Sequence, residues 1–287
     1  MDAPTLRTAR LSDAPAIAAF TSDTFSWGDY VADEFSSWLD ETDMGVVVAT
    51  DDSDRPVAVA RVRMLSRREG WLSAARVHPD NRRQGLGSAL NDWCVEWIAG
   101  RGGAVARLQI ETWNEAAHNQ VLGLGYRPVM GAVNAERPVG SDPMHPVTNG
   151  GKRTRGEERL DRAPQAEADL AYIAWSTSEL ARASRGMFPV DLWAWRRMND
   201  HDVRDTPIWF CPAGWVMADR DDDQMIVRWP VTTPEDAPLL IKAVTDLAHE
   251  KGTERLYMVG PDVPWLHSAL ETHGFECHPS RIYAKSL

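Results

Sequence analysis

The stretch Arg76-Val-His-Pro-Asp-Asn-Arg-Arg-Gln-Gly-Leu-Gly-Ser88 decides how the rest of the chain is read. It leaves a segment that reads as a strand (Trp71 to Val77) at His78-Pro79, crosses a short loop rich in Arg and Gly, and enters a run in which Leu86, Leu90, Trp93, Trp97 and Ile98 recur at helical spacing. A strand, loop and helix in this order suit a diphosphate. Glycines at 85 and 87 let successive backbone N–H groups converge on phosphate oxygens, and the positive end of the helix dipole and Arg82 or Arg83 supply charge. A nucleotide-triphosphate loop of the Gly-Lys-Ser/Thr type is excluded because no such triplet follows, and the first glycine of a dinucleotide-binding GxGxxG is missing.

Working outward, Leu6 to Arg10 reads as a strand, Ser12 as the N-cap of a helix through Ile17 and Phe20, and Tyr30 to Leu39 as an acidic helix. Val46 to Ala49 and Val57 to Leu65 flank the turn Asp51-Asp-Ser-Asp-Arg-Pro56 and predict a hairpin. Past the helix, which Gly100 and Gly102 stop, Val105 to Glu111 reads as a strand and Glu115 to Leu124 as a helix ending at Gly125-Tyr126. Arg137 to Pro164 is dense in Pro, Gly and charge and nearly empty of large apolar residues, which marks a linker.

The second half repeats the order: strand Met225 to Val231, helix Leu239 to His249, stop at Gly252, strand Arg255 to Val259, helix Trp265 to Glu271, then Gly274-Phe275. Gly102 and Gly252 lie 150 positions apart and Gly125 and Gly274 lie 149 apart, as an internal duplication predicts. Its earlier helices are expected over Ala166 to Ala183 and Val190 to Asn199. Placing the halves in register sets Thr232-Thr-Pro-Glu-Asp-Ala237 against Arg82 to Gly87. Both glycines are gone there, Pro234 lacks a donor, and Glu235 and Asp236 repel phosphate.

Two motifs carry a resemblance. Arg82-Arg83-Gln84-Gly85-Leu86-Gly87 resembles the Arg/Gln-x-x-Gly-x-Gly/Ala signature of the GNAT N-acetyltransferases, and Asn114, Ala117, Leu124, Gly125 and Tyr126 match the later pattern of that family. The resemblance covers residues 5 to 135 and extends to about 200–287 as element order, similar to a tandem GNAT arrangement. It implies an α/β (α+β) chain of two GNAT-like domains, each a mixed, mostly antiparallel twisted sheet flanked by helices. The boundaries expected are 1–137 for an acetyl-CoA-binding domain, 138–164 for the linker and 165–287 for a degenerate domain without a cofactor loop.

By the same resemblance, acetyl-CoA is the acyl donor. The backbone at Val77 and His78 pairs with the pantetheine arm, with a nearby N–H polarising the thioester carbonyl. Residues Arg82, Arg83, Gln84, Gly85, Leu86, Gly87 and Ser88 hold the pyrophosphate, and Asn114 contacts pantetheine. Two family positions depart from the pattern. The tyrosine that protonates the leaving thiolate is Val121, which leaves His118 or a water for that role, and the strand carboxylate is Ser73. Glu111 is the first candidate base, with Glu69 and Asp29 behind it. Trp27, Asp29 and Tyr30 are candidate walls for the acceptor, a small primary amine. An acyl-CoA-binding sensor and a protein lysine acetyltransferase are the competing readings.

Bulk properties set the frame. A net charge of −11 argues against wide contact with a phosphate backbone, so no nucleic acid is expected. Cys94, Cys211 and Cys277 are scattered without metal-ligand spacing, which predicts reduced thiols and no metal. The absence of a signal-like N-terminus or a long apolar run predicts a cytoplasmic protein with no membrane partner, either monomer or homodimer.

Overall fold

A computed structural model describes residues 5–22, 28–140 and 159–287. Trp27 and most of the expected linker, 141–158, lie outside the described residues. The chain divides into two compact units: residues 1–109, 114–128 and 283–287 in the first, and 110–113 and 129–282 in the second. These differ from the boundaries 1–137 and 165–287. Residues 129–138 belong to the second unit and the last five residues to the first. The expected linker also ends early: Leu160 is buried in the core of the second unit, and Asp161–Arg162 forms a short strand.

In the first unit β1 (Thr5–Thr8), β2 (Met44–Thr50), β3 (Pro56–Met64) and β4 (Glu69–Val77) form an antiparallel run, and β5 (Val105–Glu111) joins β4 in parallel. The β2–β3 hairpin turns where expected, with the Asp51 carboxylate accepting the N–H groups of Ser53 and Arg55 at 2.9 and 3.0 Å. Every residue of β2 from Gly45 to Thr50 is buried because helices cover both faces of the strand. On one side α1 (Ala14–Thr21) and α2 (Val31–Trp38) pack Ile17, Phe20, Phe35 and Trp38 onto Val46, Val48 and Val59. On the other, α3 (Leu86–Gly100) buries Leu86, Leu90, Cys94 and Ile98. It comes so close that a Cβ on Gly70 would overlap Ile98. The start of α1 lies beyond Ser12, because Leu11–Asp13 forms a 3-10 turn. The Asp13 carboxylate there takes Arg7 and the Arg10 N–H, each at 2.7 Å. Following β5, α4 (Glu115–Gly123) ends at Gly125, which has φ +85°.

The strand β6 (Arg127–Pro138) contributes mainly to the second unit. Its other elements are β7 (Asp161–Arg162), α5 (Gln165–Thr177), α6 (Glu179–Ser184), β8 (Met187–Asp191), β9 (Ala194–Arg197), α7 (Asp200–Asp205), β10 (Ile208–Cys211) and β11 (Gly214–Asp221). Then come β12 (Gln224–Val231), α8 (Ala237–Glu250), β13 (Arg255–Pro261), α9 (Pro264–Thr272) and β14 (Glu276–Ser286). The sheet order is β14-β6-β13-β12-β11-β10-β7, with β12 and β13 parallel. Two expected helices are corrected. Ser178 accepts the Ala181 N–H at 3.1 Å and restarts the helix, so Ala166 to Ala183 is two helices. Val190 to Asn199 is the β8–β9 hairpin, whose turn is set by Asp191 accepting the Trp193 N–H at 2.7 Å.

The two units share one feature in their strands. Ala74 in β4 and Trp229 in β12 both adopt positive φ, +55° and +53°, at a bulge that shifts the register with the preceding strand. Each unit is thus a mixed, mostly antiparallel sheet flanked by helices.

Candidate active site

The bulge has a consequence for the first unit. The β4–β5 ladder runs from Glu69↔Val105 to Trp71↔Arg107, and the bulge at Ala74 then turns β4 away. At the far end of β4, the His78 N–H bonds the Val57 carbonyl of β3 at 2.8 Å. Because backbone groups alternate sides along a strand, the N–H and C=O of Val77 point away from β3. Arg82 Nε reaches that carbonyl at 3.4 Å. His78 closes the strand by accepting the Asp80 N–H through Nδ1 at 3.2 Å, starting the turn Pro79–Asn81.

The loop then delivers the N-terminus of α3. Its N-cap is Gly85 in the left-handed conformation, φ +81° and ψ 0°, and no side chain caps it. The preceding Arg83 is also left-handed, at φ +63°. Arg82, Arg83, Gln84 and Gly85 are exposed, Leu86 is anchored in the core, and Gly87 and Ser88 are half-buried. An uncapped helix start with open backbone N–H groups beside two exposed guanidiniums fits a diphosphate. A Cβ on Gly87 would come within 2.5 Å of Gln120 Nε2, so α4 lies beside the loop.

Asn114 is the N-cap of α4, its side chain accepting the Ala117 N–H at 3.2 Å. One turn on, His118 Nδ1 lies 2.8 Å from the Tyr283 hydroxyl. Tyr283 escaped the sequence reading because the two residues are 165 positions apart and no motif links them. Val121 is buried in the first unit. Glu111 is half-buried at the end of β5 and belongs to the second unit, where its neighbour Thr112 donates to the Pro279 carbonyl at 3.0 Å.

The other carboxylates considered as bases are engaged. Asp29, its side chain fully enclosed, holds Arg76 Nε at 2.6 Å and accepts the Val31 N–H at 3.1 Å, which fixes the start of α2. Glu69 pairs with Arg107 on the neighbouring strand, both buried. Ser73 accepts Arg61 Nε at 3.0 Å, and the Arg61 guanidinium stacks 4.4 Å from the Trp38 ring centre. Tyr30 stands edge-on to Trp38, and burial pushes its phenol up. Cys94 and Cys277 are poor nucleophiles. Burial raises the Cys94 thiol to about 12 and the Cys277 thiol to about 11.

The matching region of the second unit is built differently. Its strand-to-helix connection spans only 232–236, contains no left-handed residue, and is tied by Thr233 Oγ1 to Asp236 at 3.0 Å. Val263 starts α9 with no side-chain cap where Asn114 starts α4. Beyond the last β12–β13 rung, Arg228↔Val259, the space is lined by Trp175, Trp195, Trp229 and Pro230. In this unit Trp195 and Trp229 are buried, Trp209 and Trp265 pack on the core, and Trp193 is exposed. Among the described residues no group of three His, Cys, Asp or Glu side chains is gathered for a metal, and no helix is long and apolar enough to cross a membrane.

Residues 14–126 match the model of the acetyltransferase (GNAT) family. In structure the chain is similar to a GCN5-related N-acetyltransferase from Sphaerobacter thermophilus, with a TM-score of 0.67 at 16% identity over 98% of this chain and 95% of that one. It is also similar to a glucosamine N-acetyltransferase region in a fungal multi-domain GH3 β-N-acetylglucosaminidase, with a TM-score of 0.63 at 13% identity over 99% of this chain and 38% of that one. No curated protein matches the chain.

Proposed function

With residues 14–126 forming a GNAT acetyltransferase domain, we propose that the chain moves an acetyl group from acetyl-CoA to the primary amine of a small molecule by direct attack. The observation that carries this reading is the uncapped start of α3, with left-handed Gly85 and exposed Arg82 and Arg83, and the absence of any such feature from 232–236. Acetyl-CoA supplies an acetyl thioester. Residues 82–88 hold its pyrophosphate, and Asn114 and the backbone at Val77 hold its pantetheine; the expected part of the His78 backbone is not taken up, because its N–H bonds the Val57 carbonyl and its carbonyl accepts the Asn81 N–H. The Val77 N–H, turned away from β3, polarises the carbonyl. Glu111 takes a proton from the incoming ammonium and His118 gives one to the leaving sulfur.

Direct attack in a ternary complex is favoured because neither Cys94 nor Cys277 supplies a thiolate near neutral pH. Tyr30 forms part of the acceptor wall, and Asp29 acts there through Arg76. The three free thiols suit a reducing, cytoplasmic setting. Val121 in the place of a phenol favours one other reading, an acyl-CoA sensor that binds without turnover.

Calorimetric titration with acetyl-CoA, run beside a thiol-release screen against amino acids, polyamines and aminoglycosides, tests this. One-site binding with thiol release for an amine supports the enzyme, and binding without release for any amine or lysine peptide supports the sensor. Release with lysine peptides alone points to protein lysines, and absence of binding removes the whole assignment.

A further inference from the structure

Three positions of α4 form one stripe: Asn114, His118 and Val121 stand at i, i+4 and i+7 and share a face of the helix. If Asn114 meets the pantetheine arm, as proposed above, His118 sits one turn along the same face. The ring is not loose there. Its Nδ1 is 2.8 Å from Tyr283 Oη, and the ring centres are 5.6 Å apart at 45°. Tyr283 comes from the C-terminal tail that completes the first unit, and it is 1% exposed.

A phenol buried so deeply must place its hydroxyl hydrogen on an acceptor, since leaving it unmade costs about 1–3 kcal/mol. Nδ1 of His118 is the acceptor within reach. A neutral imidazole carries one hydrogen, so accepting at Nδ1 puts it on Nε2. Among the described residues Nε2 makes no hydrogen bond. In a protonated ring both nitrogens carry hydrogen and Oη turns to accept from Nδ1. In either charge state Nε2 presents an N–H.

We infer that Tyr283 is a positioning residue for His118: it holds the ring by Nδ1 and keeps Nε2 as the donor offered to the leaving sulfur, filling the role left open by Val121. This rests on the acetyl-transfer reading. The proton balance is simple. The amine nitrogen bonds the carbonyl carbon and releases its surplus proton to water, the C–S electron pair stays on sulfur, and a proton from Nε2 of the charged ring completes the thiol. The ring is left neutral with its remaining hydrogen on Nδ1, held by Oη, and a solvent proton recharges it. The phenol that relatives carry on α4 is thus replaced by an imidazole on α4 and a phenol supplied by the last strand.

The test uses Tyr283→Phe, which keeps the ring packing and removes only the hydroxyl, together with His118→Gln and the double variant. Nitrogen-15 spectra of the histidine rings, with the His118 signals assigned by their loss in His118→Gln, read the tautomer directly. Wild type should show the Nε2–H form alone, and Tyr283→Phe a mixture. Calorimetry should give the same acetyl-CoA affinity within about twofold for all variants. With an amine found in the screen, kcat should fall about 100-fold in His118→Gln, the lower end of what acid–base catalysis contributes, and about tenfold in Tyr283→Phe, with KM for the amine unchanged. The double variant should match His118→Gln, because residues acting as a unit are not additive. A wild-type tautomer in Tyr283→Phe, an unchanged kcat, or multiplicative losses in the double variant would overturn the inference. If no amine draws thiol release from the wild type, the acetyl-transfer reading fails. The hold on the ring is then decided by the nitrogen-15 spectra alone.

Discussion

Replacing Gly85 and Gly87 together by Glu tests the loop at its centre. Gly85 stands at φ +81°, and a Cβ there would meet nothing within 4 Å, so its structural cost is confined to the left-handed backbone, roughly 1–2 kcal/mol. At Gly87 an added Cβ would press on Gln120 Nε2, the far end of a flexible side chain that can swing aside. Folding should therefore survive, with Tm lowered by a few degrees for about 1 kcal/mol in a domain of this size. Binding should not survive. Each carboxylate brought to about 4 Å of a phosphate charge adds about 1 kcal/mol of repulsion in a water-like medium and about 4 kcal/mol at an effective dielectric of 20. Two carboxylates against two phosphates reach several kcal/mol, and each 1.4 kcal/mol is about tenfold, so acetyl-CoA affinity should fall at least about 100-fold. Gly85→Ala alone, which adds the backbone strain without charge, should lose less than about tenfold. Calorimetric titration at two salt concentrations measures this, and the Glu deficit should shrink as salt screens the repulsion. A double-Glu variant that folds and binds acetyl-CoA within about threefold of wild type would refute the assignment of the pyrophosphate to this loop.

Other outcomes follow from particular contacts. Glu69→Gln or Arg107→Met leaves one buried charge of the pair without its partner and should destabilise the first unit by about 3–5 kcal/mol, whereas joint replacement by Met at both positions should recover most of that loss in urea melts. Equal losses in the single and joint variants would mean that the charges are not coupled. Deleting Tyr283–Leu287 removes a buried aromatic side chain worth about 1.5–3 kcal/mol and the Leu287 N–H bond to the Ala104 carbonyl. The loss should appear in the acetyl-CoA-induced rise of Tm, and an unchanged rise would argue against the tail belonging to that unit. Cys94 should stay unreactive to a thiol reagent at pH 8 in the folded protein. Because its folded value of about 12 lies above the unfolded 9.0, its contribution to stability should be present below pH 9 and decline as pH rises from 9 to 12. Rapid labelling of native Cys94 would show that its site opens.

The sequence determined the elements whose signals are local. The strand–loop–helix around residues 78–85 was legible because Gly85 and Gly87 stand between a strand and an apolar helical stripe. The helix ends were legible because helix-stopping glycines recur at nearly constant spacing, and Gly102, Gly125, Gly252 and Gly274 are all left-handed in the structure. Local signals misled where a single polar side chain redirects the backbone, as Asp191 does in turning an expected helix into a hairpin and Ser178 in breaking another.

Only the tertiary structure decided which strand completes which unit, since strand pairing is a long-range choice that leaves no mark in spacing. With that choice came the fate of the charged and aromatic candidates. The sequence could rank Asp29 and Glu69 as free bases, but Arg76 and Arg107 were the partners that burial required for them. It could note that Val121 is not a phenol, but not that Tyr283 reaches His118 across 165 positions. Residue type and short-range periodicity fix what a segment can form, while the need to pair every buried charge and hydroxyl fixes which distant segments meet.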